Sequence, residues 1–233
     1  NMVGAIIVAA GNSSRMNGVN KLFADINGKC VLARTLINFE KCKKIDYIVI
    51  VTREDMQVEV RNVINKYSIK KVLDVVIGGA TRQESVSNGI RVCPTDTEII
   101  AIHDGARPFI NNELIENIIE NCKVYGASIP GVKVKDTVKV MNNGFVKDTP
   151  NRETLFNIQT PQVFNFKLYK AALDNAIKNN ISFTDDSQLF ETIGEKVFIT
   201  PGDYRNIKIT TIEDMEIAKA FATSFEMEGK NEN

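Results

Sequence analysis

The chain has 233 residues, 43% hydrophobic and 25% charged, the balance of a globular protein long enough for one large core or two small ones. Basic and acidic residues cancel at 29 each, which leaves no reason to expect nucleic acid or an anionic membrane as the main partner; a site for anions has to be built locally, from a few aimed groups. Cys30, Cys42, Cys93 and Cys122 form no C-x-x-C pair, and there is no secretory segment or membrane-spanning apolar run, so free thiols in the cytoplasm are expected.

In chain order, Asn1 reads as a cloning remnant ahead of Met2. Gly4 to Ala10 (GAIIVAA), β-branched at its centre and stopped by Gly11, predicts a buried parallel strand. A polar loop, GNSSRMNGVNK, leads to a helix around Val31 to Lys41 and a second strand at Tyr47 to Thr52. A helix over Glu54 to Tyr67, a strand at Val72 to Ile77 ended by Gly78-Gly79, and a helix over Thr81 to Val92 follow. A fourth strand at Glu98 to His103 ends in Asp104-Gly105, and Asn112 is expected to cap the next helix. This alternation predicts an α/β fold: a Rossmann-like, mostly parallel sheet with helices on both faces. Ligands of such sheets bind beyond the carboxyl ends of the strands, so the loops after Ala10, Ile77 and His103 are the ones to watch.

One stretch breaks the rhythm. Valines alternate with lysines over Val132 to Val140, and Asn143-Gly144 suits a type I′ turn, so residues 131–155 predict a projecting β-arm. A lone hairpin is marginal in water, and packing against a second copy would stabilise it, which predicts a homodimer. A helix around Phe166 to Asn179, a strand at Lys196 to Ile199 and a last helix over Ile212 to Thr223 complete a single domain, 2–225, with a frayed tail over 226–233.

Three constellations could carry chemistry. Ala9-Ala10-Gly11 opens a small-residue loop whose backbone N–H groups can cradle phosphates, with Arg15 as a bidentate fork and Lys21 as a point charge. It is neither a Walker loop nor a dinucleotide fingerprint, and an ordinary strand-to-helix loop with solvated basic residues would read the same. Asp104, at a strand's carboxyl end, could bind Mg²⁺ or a ribose hydroxyl, and Arg107 a second anion, or the pair could be a cap and a surface arginine. Lys208, between Ile207 and Ile209, could reach the site from a short strand or point to water. His103 is the one histidine, which argues against hydrolase triads and reads as structural.

Together the segments resemble the 2-C-methyl-D-erythritol 4-phosphate cytidylyltransferases of the non-mevalonate isoprenoid pathway, from Val3 to about Ala222. The resemblance rests on AAGNSSRM with Lys21, GGATRQESV, HDGARPF, PGVKVKDTVK, NRETLFNIQTPQVF, FTDDSQ and NIKIT, in that order. It implies transfer of CMP from CTP to 2-C-methyl-D-erythritol 4-phosphate, assisted by Mg²⁺ or another divalent cation, with release of pyrophosphate. Ala9, Ala10 and Gly11 match the loop against the nucleotide; Arg15 and Lys21 the basic pair on the triphosphate; Gly79, Arg82 and Ser85 the segment that reads cytosine. Asp104 matches a residue near ribose, metal and acceptor, and Lys208 the second catalytic lysine. Arg107, Thr137 and Arg152 match acceptor-binding positions, the last two carried by the arm into the neighbouring subunit's site. The sequence departs from the pattern at Gly105, where alanine is common, at Ala80, where an acidic residue is often found, and in a short loop between Arg15 and Lys21. Ribitol 5-phosphate as acceptor and a non-catalytic nucleotide-binding dimer are the alternatives; a dinucleotide oxidoreductase is disfavoured by the missing fingerprint.

Overall fold

The computed structural model describes residues 2–11, 15–16 and 19–231, with residues 15, 16, 19 and 231 described by backbone alone. β1 (Met2–Ala9) leads into two short ladders, β2 (Arg15–Met16) with β3 (Val19–Asn20) and β4 (Asp25–Ile26) with β5 (Lys29–Cys30). Then come α1 (Val31–Lys41), β6 (Tyr47–Thr52), α2 (Gln57–Lys66), β7 (Val72–Ile77), α3 (Arg82–Arg91), β8 (Thr97–Asp104) and α4 (Asn112–Tyr125). β9 (Ala127–Lys133), a hairpin of β10 (Val140–Asn142) and β11 (Phe145–Asp148), β12 (Phe156–Ile158) and β13 (Gln162–Asn165) precede α5 (Phe166–Lys178), α6 (Ser187–Thr192), β14 (Phe198–Pro201) and α7 (Ile212–Asn231).

The main sheet runs β12-β9-β13-β8-β1-β6-β7, with β14 on the outer edge of β9. β1, β6, β7 and β8 are parallel, β13 is antiparallel to β8 and to β9, and β14 is parallel to β9. β1 shows why helices cover both faces. Its side chains alternate, Ala5 and Ile7 entering a core under α1, α2 and α4, Ile6 a second core under α3 and α5. A third, smaller cluster of Ile26, Val31, Phe109, Ile209, Ala218 and Ala222 joins α7 to the loop after β8.

Strand register places the candidate loops side by side. Gly105 N donates to Val8 O at 2.9 Å and Gly78 N to Thr52 O at 2.8 Å, so the ends of β1, β6 and β8 and the start of the 78–81 turn share one edge. Gly78 has to be glycine, because a Cβ there would fall 2.5 Å from the Ala10 Cβ and 2.6 Å from the Ser85 hydroxyl.

Several expectations need correction. The valine–lysine alternation does not make one strand: β9 ends at Lys133, residues 134–139 are irregular, and strand resumes at Val140. Alternation makes a ladder only where a partner lies alongside, and β9 finds β12 as far as Lys133 opposite Phe156. The turn is as expected, with φ of +50° at Asn143 and +84° at Gly144, the two positive values a type I′ turn requires. Asn111 rather than Asn112 caps α4, accepting from Leu114 N at 2.8 Å. The NIKIT segment is an extended loop and not a strand. The stretch 226–231, expected to fray, continues α7: methionine, glutamate and lysine favour helix, and Arg34 and Arg205 lie 3.7 and 3.8 Å from Glu226 and Glu228.

Candidate active site

Asp104 ends β8 and is the centre of the site. Its Oδ1 accepts from Arg82 Nη1 at 2.6 Å; its Oδ2 lies 3.5 Å from Lys208 Nζ and 3.8 Å from Arg107 Nε. Burial alone would raise this carboxyl, but the charges of Arg82, Lys208 and Arg107 outweigh it and hold Asp104 well below the usual carboxylate range. Ala9 and Gly11 from the end of β1, with Lys21, Arg82, Asp104 and Lys208, line a cleft of about 240 Å³.

Lys21 follows Asn20, whose side chain caps a short 3₁₀ turn by accepting from Leu22 N. Burial lowers its pKa, the nearby Lys208 charge lowers it further, and Asp104 and Asp214 oppose both. The two lysines thus act in one electrostatic field, though they stand almost 190 positions apart in the chain. Lys208 is brought there by its neighbours. Ile209 is fully buried and donates its N–H to Ala106 O at 2.9 Å, which leaves Lys208 aimed at the crevice. The alternation expected of a strand is therefore present without the strand.

Arg82 opens α3, behind a Thr81 cap that accepts from Glu84 N. Its second arm donates to Asp186 at 3.0 Å, a carboxylate 1% exposed. Burial pushes Asp186 upward, and Arg82, shared with Asp104, offsets this only in part. Gly79 N donates to Ser85 Oγ at 3.1 Å, so Gly79, Arg82 and Ser85 form one structured turn beside the cleft. A larger cavity of about 710 Å³ between α3 and residues 180–184 shares Arg82 with the cleft but none of Lys21, Asp104 or Lys208; the charges meet in the smaller one.

His103 lies outside the chemistry. Its Nε2 is 3.1 Å from Arg107 O, which can only accept, so Nε2 carries the proton and Nδ1 accepts from the Thr160 hydroxyl at 2.9 Å. Thr160 in turn accepts from Asp104 N at 3.0 Å. The neutral ring, its pKa pushed down to about 4 by burial, pins the turn that presents Asp104 and Arg107.

The expected residues are distributed unevenly, with Gly79 and Ser85 on the turn beside the cleft. Ala9, Gly11, Lys21, Arg82, Asp104 and Lys208 meet at the cleft, with Ala10 against Gly78 behind it. Arg107 is close to Asp104, but its Nη1 donates to Asn206 O at 2.7 Å. Thr137 and Arg152 lie exposed on the arm, where Arg152 donates to Lys135 O at 2.9 Å. The Arg15 side chain and the loop around Gly18 lie outside the described residues. Sequence reading missed Asp186, Thr160 and Asn206. All three sit inside quoted motifs, FTDDSQ, NRETLFNIQTPQVF and NIKIT, so the signal was present without a role attached.

The IspD family, 2-C-methyl-D-erythritol 4-phosphate cytidylyltransferase, matches residues 3–224 by its sequence profile. The chain belongs to this family. It is 47% identical to the 2-C-methyl-D-erythritol 4-phosphate cytidylyltransferase of Clostridium novyi (strain NT) over 219 residues, 93% of this chain and 94% of that one. The crystal structure of 4-diphosphocytidyl-2C-methyl-D-erythritol synthase from Anaerococcus prevotii DSM 20548 superposes with a TM-score of 0.86 at 37% identity, covering 95% and 98% of the two chains. The 2-C-methyl-D-erythritol 4-phosphate cytidylyltransferase of Thermus thermophilus gives 0.78 at 26%, covering 94% and 98%. Within this cytidylyltransferase family fold, the carboxyl edge that gathers Asp104, Lys21 and Lys208 is the part that can hold an anionic substrate.

Proposed function

We propose that the chain transfers CMP from CTP to 2-C-methyl-D-erythritol 4-phosphate, giving 4-diphosphocytidyl-2-C-methyl-D-erythritol and pyrophosphate. The observation that carries the reading is the meeting of Lys21 and Lys208 with Asp104 at the sheet's carboxyl edge, in a chain of this family. An acceptor phosphate oxygen attacks the α-phosphorus; the bond to the β-phosphate oxygen breaks, and pyrophosphate leaves with the electron pair. The nucleophile is already an anion, so no general base is needed, in keeping with a neutral His103 turned to backbone. The obstacle is repulsion between two anions. Lys21, Lys208 and Arg15 supply preorganised positive charge around the phosphorus, each such group being worth about 10²–10³ in rate.

Ala9, Ala10 and Gly11 lie along the nucleotide, and Gly79, Arg82 and Ser85 face its base; Arg82 reaches the base by releasing one of its two carboxylates. Among the described residues no three His, Cys, Asp or Glu side chains gather as a metal cluster. A lone carboxylate still fits Mg²⁺, which commonly takes one or two carboxylates plus substrate phosphates, and Asp104 is that carboxylate in the cleft. A metal held there would screen the triphosphate charge.

Arg107, Thr137 and Arg152 grip the acceptor, with the arm of one subunit completing the site of the next in a homodimer. Exposed Phe145, Met141 and Val146 on the hairpin, 78%, 70% and 64% accessible, support that packing. Among the described residues no helix is long and apolar enough to cross a membrane, and the four cysteines are free thiols; the cytoplasm is the compartment proposed. The deciding experiment is pyrophosphate release from CTP with each of two acceptors. Turnover with 2-C-methyl-D-erythritol 4-phosphate supports the reading; turnover with ribitol 5-phosphate alone replaces the acceptor, and turnover with neither leaves a nucleotide-binding protein.

A further inference from the structure

The turn that follows Asp104, the last residue of β8, and the loop that carries Lys208 form two walls of the cleft; Asp104 stands opposite Val8 in the ladder, but the turn after it and the Lys208 loop belong to none. They are laced at the top by Ile209 N donating to Ala106 O at 2.9 Å and by Arg107 Nη1 donating to Asn206 O at 2.7 Å. Below that lacing both loops reach the same place on α7. Phe109, two residues after Arg107, meets Phe221 edge-on with ring centroids 5.6 Å apart and stacks on Phe225 at 5.9 Å. Arg205, three residues before Lys208, lies over the same two rings, 6.0 Å from Phe221 and 5.2 Å from Phe225, and its Nη1 is 3.8 Å from Glu228. α7 is itself fastened: Asn27 donates to Lys219 O and Thr223 Oγ1 at 3.2 and 3.0 Å, and Arg34 lies 3.7 Å from Glu226.

We propose that the last turns of α7 are a positioning element for the reaction, in which Phe225 and Phe221, clasped between Phe109 and Arg205, fix the separation between the Asp104 turn and the Lys208 loop. The family match ends at residue 224, so Phe225, Glu226 and Glu228 carry no role from it. The inference rests on the cytidylyltransferase reading for its kinetic consequence. The physical reason is that Asp104 is set by the end of β8 while Lys208 comes from an irregular loop, and a displacement of about 1 Å in a reacting geometry can cost about a hundredfold in rate. A cation over an aromatic face and a ring pair are directional contacts, so they hold a spacing as well as burying surface.

The test uses the full chain with Phe225→Ala, Phe225→Tyr and Arg205→Met, assayed at low temperature where melting curves show each to be folded. The Arg205 side chain is 42% exposed, so its exchange for methionine should leave the fold intact. Phe225→Ala and Arg205→Met are expected to lower kcat about tenfold, with KM for CTP within about twofold, because the Ala9–Gly11 and Lys21 wall is untouched. Phe225→Tyr, which keeps the stack, restores wild-type kcat. A second readout needs no turnover: exchange of the Ile209 amide should quicken about tenfold in Phe225→Ala while the amides of β6 keep their rates. Wild-type kcat in both damaging variants, a loss that merely follows the unfolded fraction, or an unchanged Ile209 amide overturns the proposal. A wild type that turns over neither acceptor sinks the functional reading instead, and the Ile209 amide still decides the brace.

Discussion

Arg82 Nη1 stands 2.6 Å from Asp104 Oδ1, so the carboxylate at the centre of the cleft is already neutralised by a residue whose other arm is held by buried Asp186. Asp104→Asn keeps an acceptor for Arg82 but removes the charge that Arg82, Lys208 and Arg107 share. We expect kcat to fall by about 10²–10³. Stability should fall by about 3 kcal/mol, the low end for breaking a buried pair, because Arg82 keeps Asp186. The sign with pH follows from the depressed carboxyl. Its contribution is fully present above the unfolded carboxylate value and is lost as pH falls through the lower folded value. Urea melts at pH 7 and below pH 4 check this; a variant as stable as wild type at pH 7, with wild-type kcat, refutes the central role of Asp104.

Lys208 separates catalysis from stability. Its side chain is 44% exposed and 3.5 Å from Asp104, a pair worth about 0–1 kcal/mol. Lys208→Ala should therefore melt close to wild type while kcat drops by about 10²–10³. Removing this like charge also moves the Lys21 pKa upward, since Lys208 is second only to burial in lowering it. Thermal melts beside steady-state pyrophosphate release distinguish the outcomes. Equal losses of stability and rate would make Lys208 a structural residue.

Arg152 tests the arm. In one chain it is exposed and donates to Lys135 O; the proposed dimer would offer it to a second subunit. Each of Lys208→Ala and Arg152→Ala should lose most of its activity alone. Mixed heterodimers should regain activity, because one of their two sites then has both residues intact. Heterodimers confirmed by mass that stay as impaired would mean that Arg152 serves its own subunit's site or none.

How much of this the sequence discloses depends on the range of the interaction. α1, β6 and β7 match their expected limits: β6 is an apolar run between Asp46 and Arg53, α1 carries an apolar stripe, and β7 is a β-branched segment stopped by Gly78. α6 and β13 had no such signal; β13 forms by pairing with β8 and β9, and α6 is tied to it by Ser187 N donating to Gln162 Oε1 at 3.0 Å. Lys21, Asp104 and Lys208 were legible as motifs. The Asp186 anchor of Arg82, 104 positions away, and the Thr160 link to His103 were not, since long-range partners leave no local pattern. Residues 226–231 misled for the opposite reason: their polarity reads as a tail, but methionine, glutamate and lysine favour helix, and α7 runs on through them.

The buried histidine gives a prediction independent of turnover. His103 is the one histidine in the chain, fully buried, with its pKa pushed down to about 4 by that burial. The charged groups acting on it are Asp104, Arg107 and Arg82, all of fixed charge between pH 5 and 7. In that window the unfolded chain takes up a proton near its ordinary value of about 6.5, while the folded chain cannot. The unfolded state thus binds more protons, so stability rises with pH, by up to about 1.4 kcal/mol per unit below 6.5, and levels off above it. Most carboxylates have finished titrating by pH 5, which isolates the effect. Urea unfolding with EDTA present, at half-unit steps from pH 5 to 7.5, should show this slope in the wild type and lose it in His103→Gln, whatever that variant's absolute stability. Equal slopes in the two proteins would mean that the ring titrates freely when folded, and then it could not hold the Asp104 turn through Thr160 and the Arg107 carbonyl.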